Sequence, residues 1–253
     1  MAYNDDPFGN TNDFRAPDNF GDTGTINANP FVGTNAVTDE NGVLTNVFKW
    51  MGIGLGISAI AALGSYQFLP NIMLVAYIPL IIIELILVLV LSFGMQKMST
   101  GACKACFIAY SIVNGLTLSS IFFVYEIGSI FVTFFIAAGM FAVAALYGKF
   151  TKKNLASMGT YLIMGLFGII VASIVNIFIQ NSMLDFMISL IGIAIFIGLT
   201  AYDVNKIREY SYQYGLDTKE QANKVVIYGA LSLYLDFINI FLKLLRFLGK
   251  RKN

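Results

Sequence analysis

The sequence has no histidine, one tryptophan, two cysteines and five prolines in 253 residues, and only 12% of it is charged. Each scarcity closes off some chemistry. Without histidine there is no His–Cys or Ser–His catalysis, no His-ligated zinc and no haem held by imidazole. A pH response near neutrality must then come chiefly from carboxylates in altered surroundings. A water-soluble domain is typically about 25% charged, and half that density cannot coat a soluble globule of this size. Soluble enzymes, nucleic-acid binders and collagen-like or wholly disordered chains are thereby excluded. The net charge of +1 implies no polyanionic partner, and no nucleic acid is expected to bind.

What is abundant is apolar: hydrophobic residues make up 57% of the chain and the mean hydropathy is +0.72. Residues 1–46 stand apart. They hold seven acids (Asp5, Asp6, Asp13, Asp18, Asp22, Asp39 and Glu40) against one cation, Arg15, and contain no apolar run. Such a segment buries too little surface to offset its ordering entropy and reads as a disordered acidic tail. It lacks the basic start and apolar core of a signal peptide. Three short pieces with a phenylalanine recur in it, Asp6-Pro7-Phe8-Gly9, Asn19-Phe20-Gly21 and Asn29-Pro30-Phe31. They read as incidental aromatics of a flexible tail, with docking motifs for a partner as the alternative.

From Val47 onward the chain is nearly continuous apolar sequence cut by short polar loops. A span needs about 20 apolar residues for a hydrocarbon core of about 30 Å. Seven segments qualify: 47–69, 73–95, 105–126, 128–147, 157–179, 183–203 and 225–247. None shows the dyad alternation of barrel strands, so an all-α integral membrane bundle is predicted over 47–249, followed by a basic tail at 250–253. The 2–3, 4–5 and 6–7 loop regions carry Lys97 and Lys104; Lys149, Lys152 and Lys153; and Lys206, Arg208, Lys219 and Lys224, whereas the other three loops carry no Lys or Arg. The positive-inside rule puts the amino terminus and the basic loops in the cytoplasm. Seven crossings send the carboxyl terminus outside, against its Lys250-Arg251-Lys252 sequence. Either segment seven crosses against its charge bias or it is re-entrant; its apolar length favours crossing.

Segment seven is the informative one. Gly229, Ser232, Asp236, Asn239, Lys243 and Arg246 recur at spacings of three and four, one face of a helix. A charge at the bilayer centre costs at least about 2.5–3.5 kcal/mol, so this face should turn into the bundle. Lys243 and Arg246 can reach an interface by snorkelling; the short Asp236 cannot. Glu84 is mid-span in segment two, which makes it a functional candidate. Glu126 and Asp185, at predicted outer ends, are expected to be solvated. Segment three adds Ser111, Asn114, Thr117, Ser119 and Ser120, as suited to helix packing as to ligand contact. Asp203 closes segment six. It meets Asp236, about 17 Å into segment seven, only if that segment begins outside the hydrocarbon or the bundle is locally thin. If they meet, two carboxylates in one dry site resist double ionisation and titrate as a unit. Deprotonated, the same oxygens suit a hard cation such as Ca²⁺, and protons and metal ion compete for one site.

The stretches Lys97-Met98-Ser99, Tyr110-Ser111, Asn114-Gly115-Leu116-Thr117-Leu118-Ser119, Thr200-Ala201-Tyr202-Asp203 and Leu231-Ser232-Leu233-Tyr234-Leu235-Asp236-Phe237-Ile238-Asn239 together resemble the transmembrane Bax inhibitor motif family, in its bacterial form, across 47–249. The resemblance implies a seven-helix fold with the last helix central, and a pH-sensitive calcium leak gated by an aspartate pair that maps onto Asp203 and Asp236. These two are also the residues a transported Ca²⁺ would meet. Glu84 looks like the acidic residue of the family's second span. Some relatives carry an arginine near the end of span two that latches the pair; here the neighbourhood is Ser92-Phe93-Gly94-Met95-Gln96-Lys97, and Lys97 is the available substitute, a point charge instead of a planar fork. Residues 204–224 form a longer polar linker than the family pattern, expected to be helical around Asp217–Lys224.

Two other readings compete. An aspartate on each of two neighbouring spans is the equipment of an intramembrane aspartyl protease, but Leu233-Tyr234-Leu235 before Asp236 would hinder a substrate backbone, and no enzyme activity is expected. A non-conducting regulator that binds another integral protein or membrane protease, with the tail as docking arm, is the main alternative. Cys103 and Cys106 form a lone C-x-x-C, better explained as small helix-end residues than as a redox or metal site. The expectation is a pH-gated cation leak through an α-helical protein of the plasma membrane. Glu84, Lys97, Asn114, Thr117, Ser232 and Asn239 support the pair. Lipid, Ca²⁺ and protons are its partners, and no cofactor is tightly bound.

Overall fold

The computed structural model describes residues 40–68, 70–94, 97–213 and 219–252. Among them are eight helices: α1 (Glu40–Phe68), α2 (Pro70–Gly94), α3 (Thr100–Leu118), the single turn α4 (Ile121–Val124), α5 (Ile127–Phe150), α6 (Ala156–Ile179), α7 (Ser182–Gln213) and α8 (Lys219–Leu248). Seven are long and apolar enough to cross a membrane, α4 continuing the span of α3. The expected all-α membrane bundle is the fold. The tail expected to be disordered lies outside the described residues up to 39, with its phenylalanine motifs. From Glu40 to Asn46 that segment is already helix, and Val43 and Leu44 are buried in the core.

Helix ends follow local chemistry. The Ser99 side chain accepts from Ala102 N at 3.3 Å and opens α3. Segment three, read as one span, breaks after Leu118. There the Ser119 and Ser120 hydroxyls donate to the carbonyls of Leu116 (2.6 Å) and Thr117 (2.9 Å), three residues back. Consecutive back-bonding hydroxyls compete with the helical ladder. Gln180 ends α6 with φ of 54°, and Asn181 Oδ1 then receives the amides of Met183 and Leu184 to start α7.

α2 and α6 have the fewest buried residues of the seven spans and present rows of exposed aliphatic and aromatic side chains, as lipid-facing helices should. α8 is the most buried and packs against α1, α3, α5 and α7. α7 is tied to the α5–α6 loop from two positions. Arg208 donates to the Lys149 and Thr151 carbonyls, and Asn205 Oδ1 accepts from Leu155 N at 3.4 Å.

The charge conflict at the carboxyl terminus resolves through contacts. α8 runs the full span, and its tail lies against the α4–α5 turn, at the end opposite the basic loops. Tyr125 and Arg251 form an antiparallel bridge, Glu126 N donates to the Lys250 carbonyl (2.9 Å), and Lys252 N donates to the Val124 carbonyl (2.9 Å). Glu126 and Asp185, expected to be solvated, are partly exposed and also ion-paired: Glu126 with Lys250 at 3.1 Å and Asp185 with Arg246 at 2.8 Å. The two cations thus have local anionic partners at this end.

Candidate functional site

Residues 204–224, read as a linker, mostly prolong two helices: α7 runs on to Gln213 and α8 already starts at Lys219. Asp217 lies outside the described residues. Each helix therefore projects past the apolar segment that marked it, and this sets the level at which their side chains meet.

α7 and α8 are antiparallel neighbours, and their contacts share one register. Ile207 sits where a side chain on Gly229 would go, at 2.8 Å; Ser232 hydrogen-bonds the Asp203 carboxylate; Thr200 is the side-chain partner of Asp236; the Lys243 stem lies 3.2 Å from a side-chain position on Gly192; and Arg246 meets Asp185. Thus Gly229, Ser232, Asp236, Lys243 and Arg246, five residues of the polar stripe, all face α7. Asn239 instead donates to the Leu235 carbonyl of its own helix at 2.8 Å.

The run Thr200-Ala201-Tyr202-Asp203 distributes its side chains among three neighbours, as consecutive helical positions must. Thr200 and Asp203 face α8. Ala201 is pressed backbone-close to Gly148 of α5, and the Tyr202 ring covers Gly159 of α6; a methyl group at either glycine would collide. Two small residues thus allow the approach that fixes the rotation of α7 and aims Asp203 inward. On α8, Ser232 and Asp236 face α7 while Tyr234, fully buried between them, points toward α1 and α3.

Asp203 and Asp236 are close enough to interact electrostatically. Their surroundings differ. Asp203 is half-buried and lines a cavity of about 360 Å³ with Ser92 of α2, Lys206 and Tyr210 of α7, and Tyr228 and Ser232 of α8. This cavity lies toward the basic-loop end. Asp236 is absent from that lining, is 5% exposed, and its Oδ2 is buried without a hydrogen-bond partner. Among the described residues, no three of Asp, Glu, Cys or His gather where they could hold one ion.

Lys97, the expected substitute for a latch, is exposed. The cation beside the pair is Lys206, which interacts with Asp203 and stacks on Tyr202 and Tyr210 at 5.5 and 5.9 Å. Sequence reading counted Lys206 only as a loop charge; its position three residues after Asp203 on the same helix was the available signal.

Glu84, Asn114 and Thr117 form a second polar group. Asn114 Nδ2 donates to Glu84 Oε1 at 3.1 Å, Thr117 also hydrogen-bonds Glu84, and Tyr234 donates to Asn114 Oδ1 at 2.7 Å. The Tyr234 oxygen is also 2.7 Å from Ser58 Oγ, which bonds the Ser111 carbonyl at 2.7 Å. This network joins α1, α2, α3 and α8. Gly115 permits it, since its Cβ position lies 2.5 Å from the Ser58 carbonyl. Cys103 and Cys106 are free thiols, Cys103 buried.

The family model for the inhibitor of apoptosis-promoting Bax1 matches residues 40–253. An uncharacterized protein of Borreliella burgdorferi is 46% identical over 221 residues, covering 85% of this chain and 94% of its own length. The inner membrane protein YbhL of Escherichia coli K12 is 43% identical over 219 residues, covering 83% and 92% respectively. A Deinococcus radiodurans protein is 39% identical over 204 residues, covering 80% and 87%.

Proposed function

The chain belongs to the Bax inhibitor family, and from that premise we propose that it is a cation leak pathway, chiefly for Ca²⁺, controlled by proton occupancy of Asp203 and Asp236. The observation that carries this reading is the shared register of α7 and α8, which sets a cavity-lining carboxylate beside a buried one. A cation entering the cavity meets Asp203 first and Asp236 behind it. Ca²⁺ takes six to eight oxygen ligands, so two carboxylates, flanking hydroxyls and carried water make a transit site.

A proton has a place at the same site. Asp236 Oδ2 is buried without a hydrogen-bond partner, and Thr200, whose Oγ1 bonds the Phe196 carbonyl at 2.8 Å, is the side-chain partner of its carboxyl group. Each proton gained removes one negative charge from the cation path, and two neighbouring carboxylates in a water-poor site exchange protons as a unit. The basic loops, the amino terminus and the mouth of the cavity are cytoplasmic in this reading, following loop charge, and the membrane is the inner or plasma membrane, as for the Escherichia coli relative. Transport is favoured over peptide hydrolysis because Asp236 is 5% exposed and stands behind the cavity lining, where a bulky substrate backbone would have to displace packed side chains.

Ca²⁺ flux in proteoliposomes across a pH range of roughly 5 to 8, where a buried carboxylate pair titrates, tests the proposal. The wild type should show pH-dependent flux. Asp236→Asn should flatten most of that dependence, Asp203→Asn should do likewise, and the double variant should add little, because coupled groups are not additive. An unchanged profile in Asp236→Asn removes the pair from the gate. No flux at any pH favours a non-conducting regulator of another membrane protein.

A further inference from the structure

A second opening faces the membrane, apart from the aspartate pair. α1 and α5 flank an apolar groove of about 210 Å³ floored by Ile238 and Phe241 of α8 and closed at one end by Phe122. Its open side carries Leu63 and Phe131, each about half exposed. Along α1 the lining runs from Leu55 to Leu63, about 12 Å at the helical rise. The Ser58 hydroxyl, a polar group in this wall, is already engaged by Tyr234 and the Ser111 carbonyl. An apolar groove of this kind does not hold water, and at bilayer depth its neighbour is hydrocarbon.

Charge at the groove's end narrows the occupant. The tail brings Lys250, Arg251 and Lys252 to the one end of the bundle whose loops carry no Lys or Arg. Its acids are spent: Glu126 pairs with Lys250, and Asp185 with Arg246. Lys252 Nζ donates to the carbonyl of Phe122, the groove's end residue, at 2.8 Å and reaches Tyr66 Oη at 3.4 Å. An ammonium has three protons, so one remains, and both Lys252 and Arg251 are exposed. A cation with a spare donor thus stands at the Phe122 end of an apolar slot, an arrangement complementary to an anionic headgroup joined to an acyl chain.

We propose that this groove holds an acyl chain of an anionic membrane phospholipid, whose phosphate is bound by Lys252 and Arg251 of the carboxyl-terminal tail. The site is independent of the cation pathway. It also accounts for a basic tail on the side that loop charge disfavours: the lipid supplies the anion that the protein there lacks.

The test uses the full-length chain, purified and delipidated in detergent, with phosphatidylglycerol and phosphatidylcholine of identical acyl chains. Native mass spectrometry and thermal unfolding should show phosphatidylglycerol bound about tenfold or more tightly than phosphatidylcholine, as two cations near a lipid phosphate would produce. Arg251→Gln with Lys252→Gln should abolish the preference while residual binding of both lipids persists, and Arg251→Lys with Lys252→Arg should retain it. Arg251→Gln alone, which leaves the Lys252 contacts that hold the tail in place, should lose part of it. Ala59→Phe, which fills the groove, should reduce binding of both lipids. Equal affinity of the wild type for the two lipids, a preference that survives the double glutamine variant, or undiminished binding by Ala59→Phe overturns the proposal.

Discussion

Lys206 lies one helical turn beyond Asp203 and lines the same cavity, so its charge acts on the proposed gate from the water side. A cation there favours the ionised carboxylate, and its removal leaves the proton easier to bind. Lys206→Gln should therefore move the midpoint of the flux–pH profile to higher pH, while Lys97→Gln, at an exposed position, should leave it unchanged. A midpoint that stays in place in Lys206→Gln, or falls, means another charge sets the site. Tyr234 tests the second polar group. Its hydroxyl meets both Ser58 and Asn114 at 2.7 Å. Tyr234→Phe keeps the ring contacts with Phe107 and Tyr110 but leaves Asn114 Oδ1 without that donor. Buried hydrogen bonds between membrane helices average about 0.6 kcal/mol, with a maximum near 1.7. The variant should lose roughly 1 kcal/mol of stability in a denaturant titration and keep its pH profile. The sequence suggests Glu84, Asn114 and Thr117 as polar support for the aspartate pair, whereas they bond one another and, through Tyr234, Ser58, which the sequence does not reveal because one serine inside an apolar helix carries no periodic signal. The hydroxyl of Tyr234 was equally hidden among leucines.

The polar stripe of α8 was legible because spacings of three and four specify a helix face whatever its surroundings. Where that stripe sits along α7 was not. Hydropathy marks where apolar sequence ends, at 203 and 225, whereas backbone hydrogen bonding carries α7 to Gln213 and α8 back to Lys219. Polar residues outside the hydrocarbon sustain a helix perfectly well, so the boundaries of span and helix differ, and the meeting of Asp203 with Asp236 depended on that difference. The register can be tested by cross-linking. With Cys103 and Cys106 replaced by serine, cysteines at 207 and 229 should form a disulfide on mild oxidation, since Ile207 Cγ1, one bond from its Cβ, lies 3.1 Å from the Cβ position of Gly229. Cysteines at 203 and 229, one turn out of register, should react far less. A disulfide requires Cβ atoms about 3.5–4.5 Å apart, so a shift of one turn reverses the outcome.

At the scale of the whole molecule, loop charge and span count disagreed about the carboxyl terminus, and the contacts of the tail show what loop counting leaves out. The rule concerns cations that would cross the bilayer unpaired. Here Lys250 pairs with Glu126, Arg246 pairs with Asp185, and Lys252 caps the Phe122 carbonyl. None of these partners adjoins its cation in sequence, so no scan of neighbouring charges could have found them. The consequence is that the two ends of the bundle carry different cations: Lys149, Lys152 and Lys153 in or beside the α5–α6 loop, and the tail at the opposite end. In intact cells of a cysteine-free variant, a cysteine at Asn253 should react with a membrane-impermeant maleimide, whereas one at Asn154 should react only after permeabilisation. Glu126→Gln should lower the barrier to withdrawing the tail by removing its 3.1 Å ion pair with Lys250. Because that pair is partly exposed, the effect should be small, within about 1 kcal/mol, and appear as faster labelling at 253 with the sidedness unchanged. Protection of 253 in intact cells, with labelling of 154, would reverse the orientation; equal protection of both would put the two ends on the same side and end the seven-span topology.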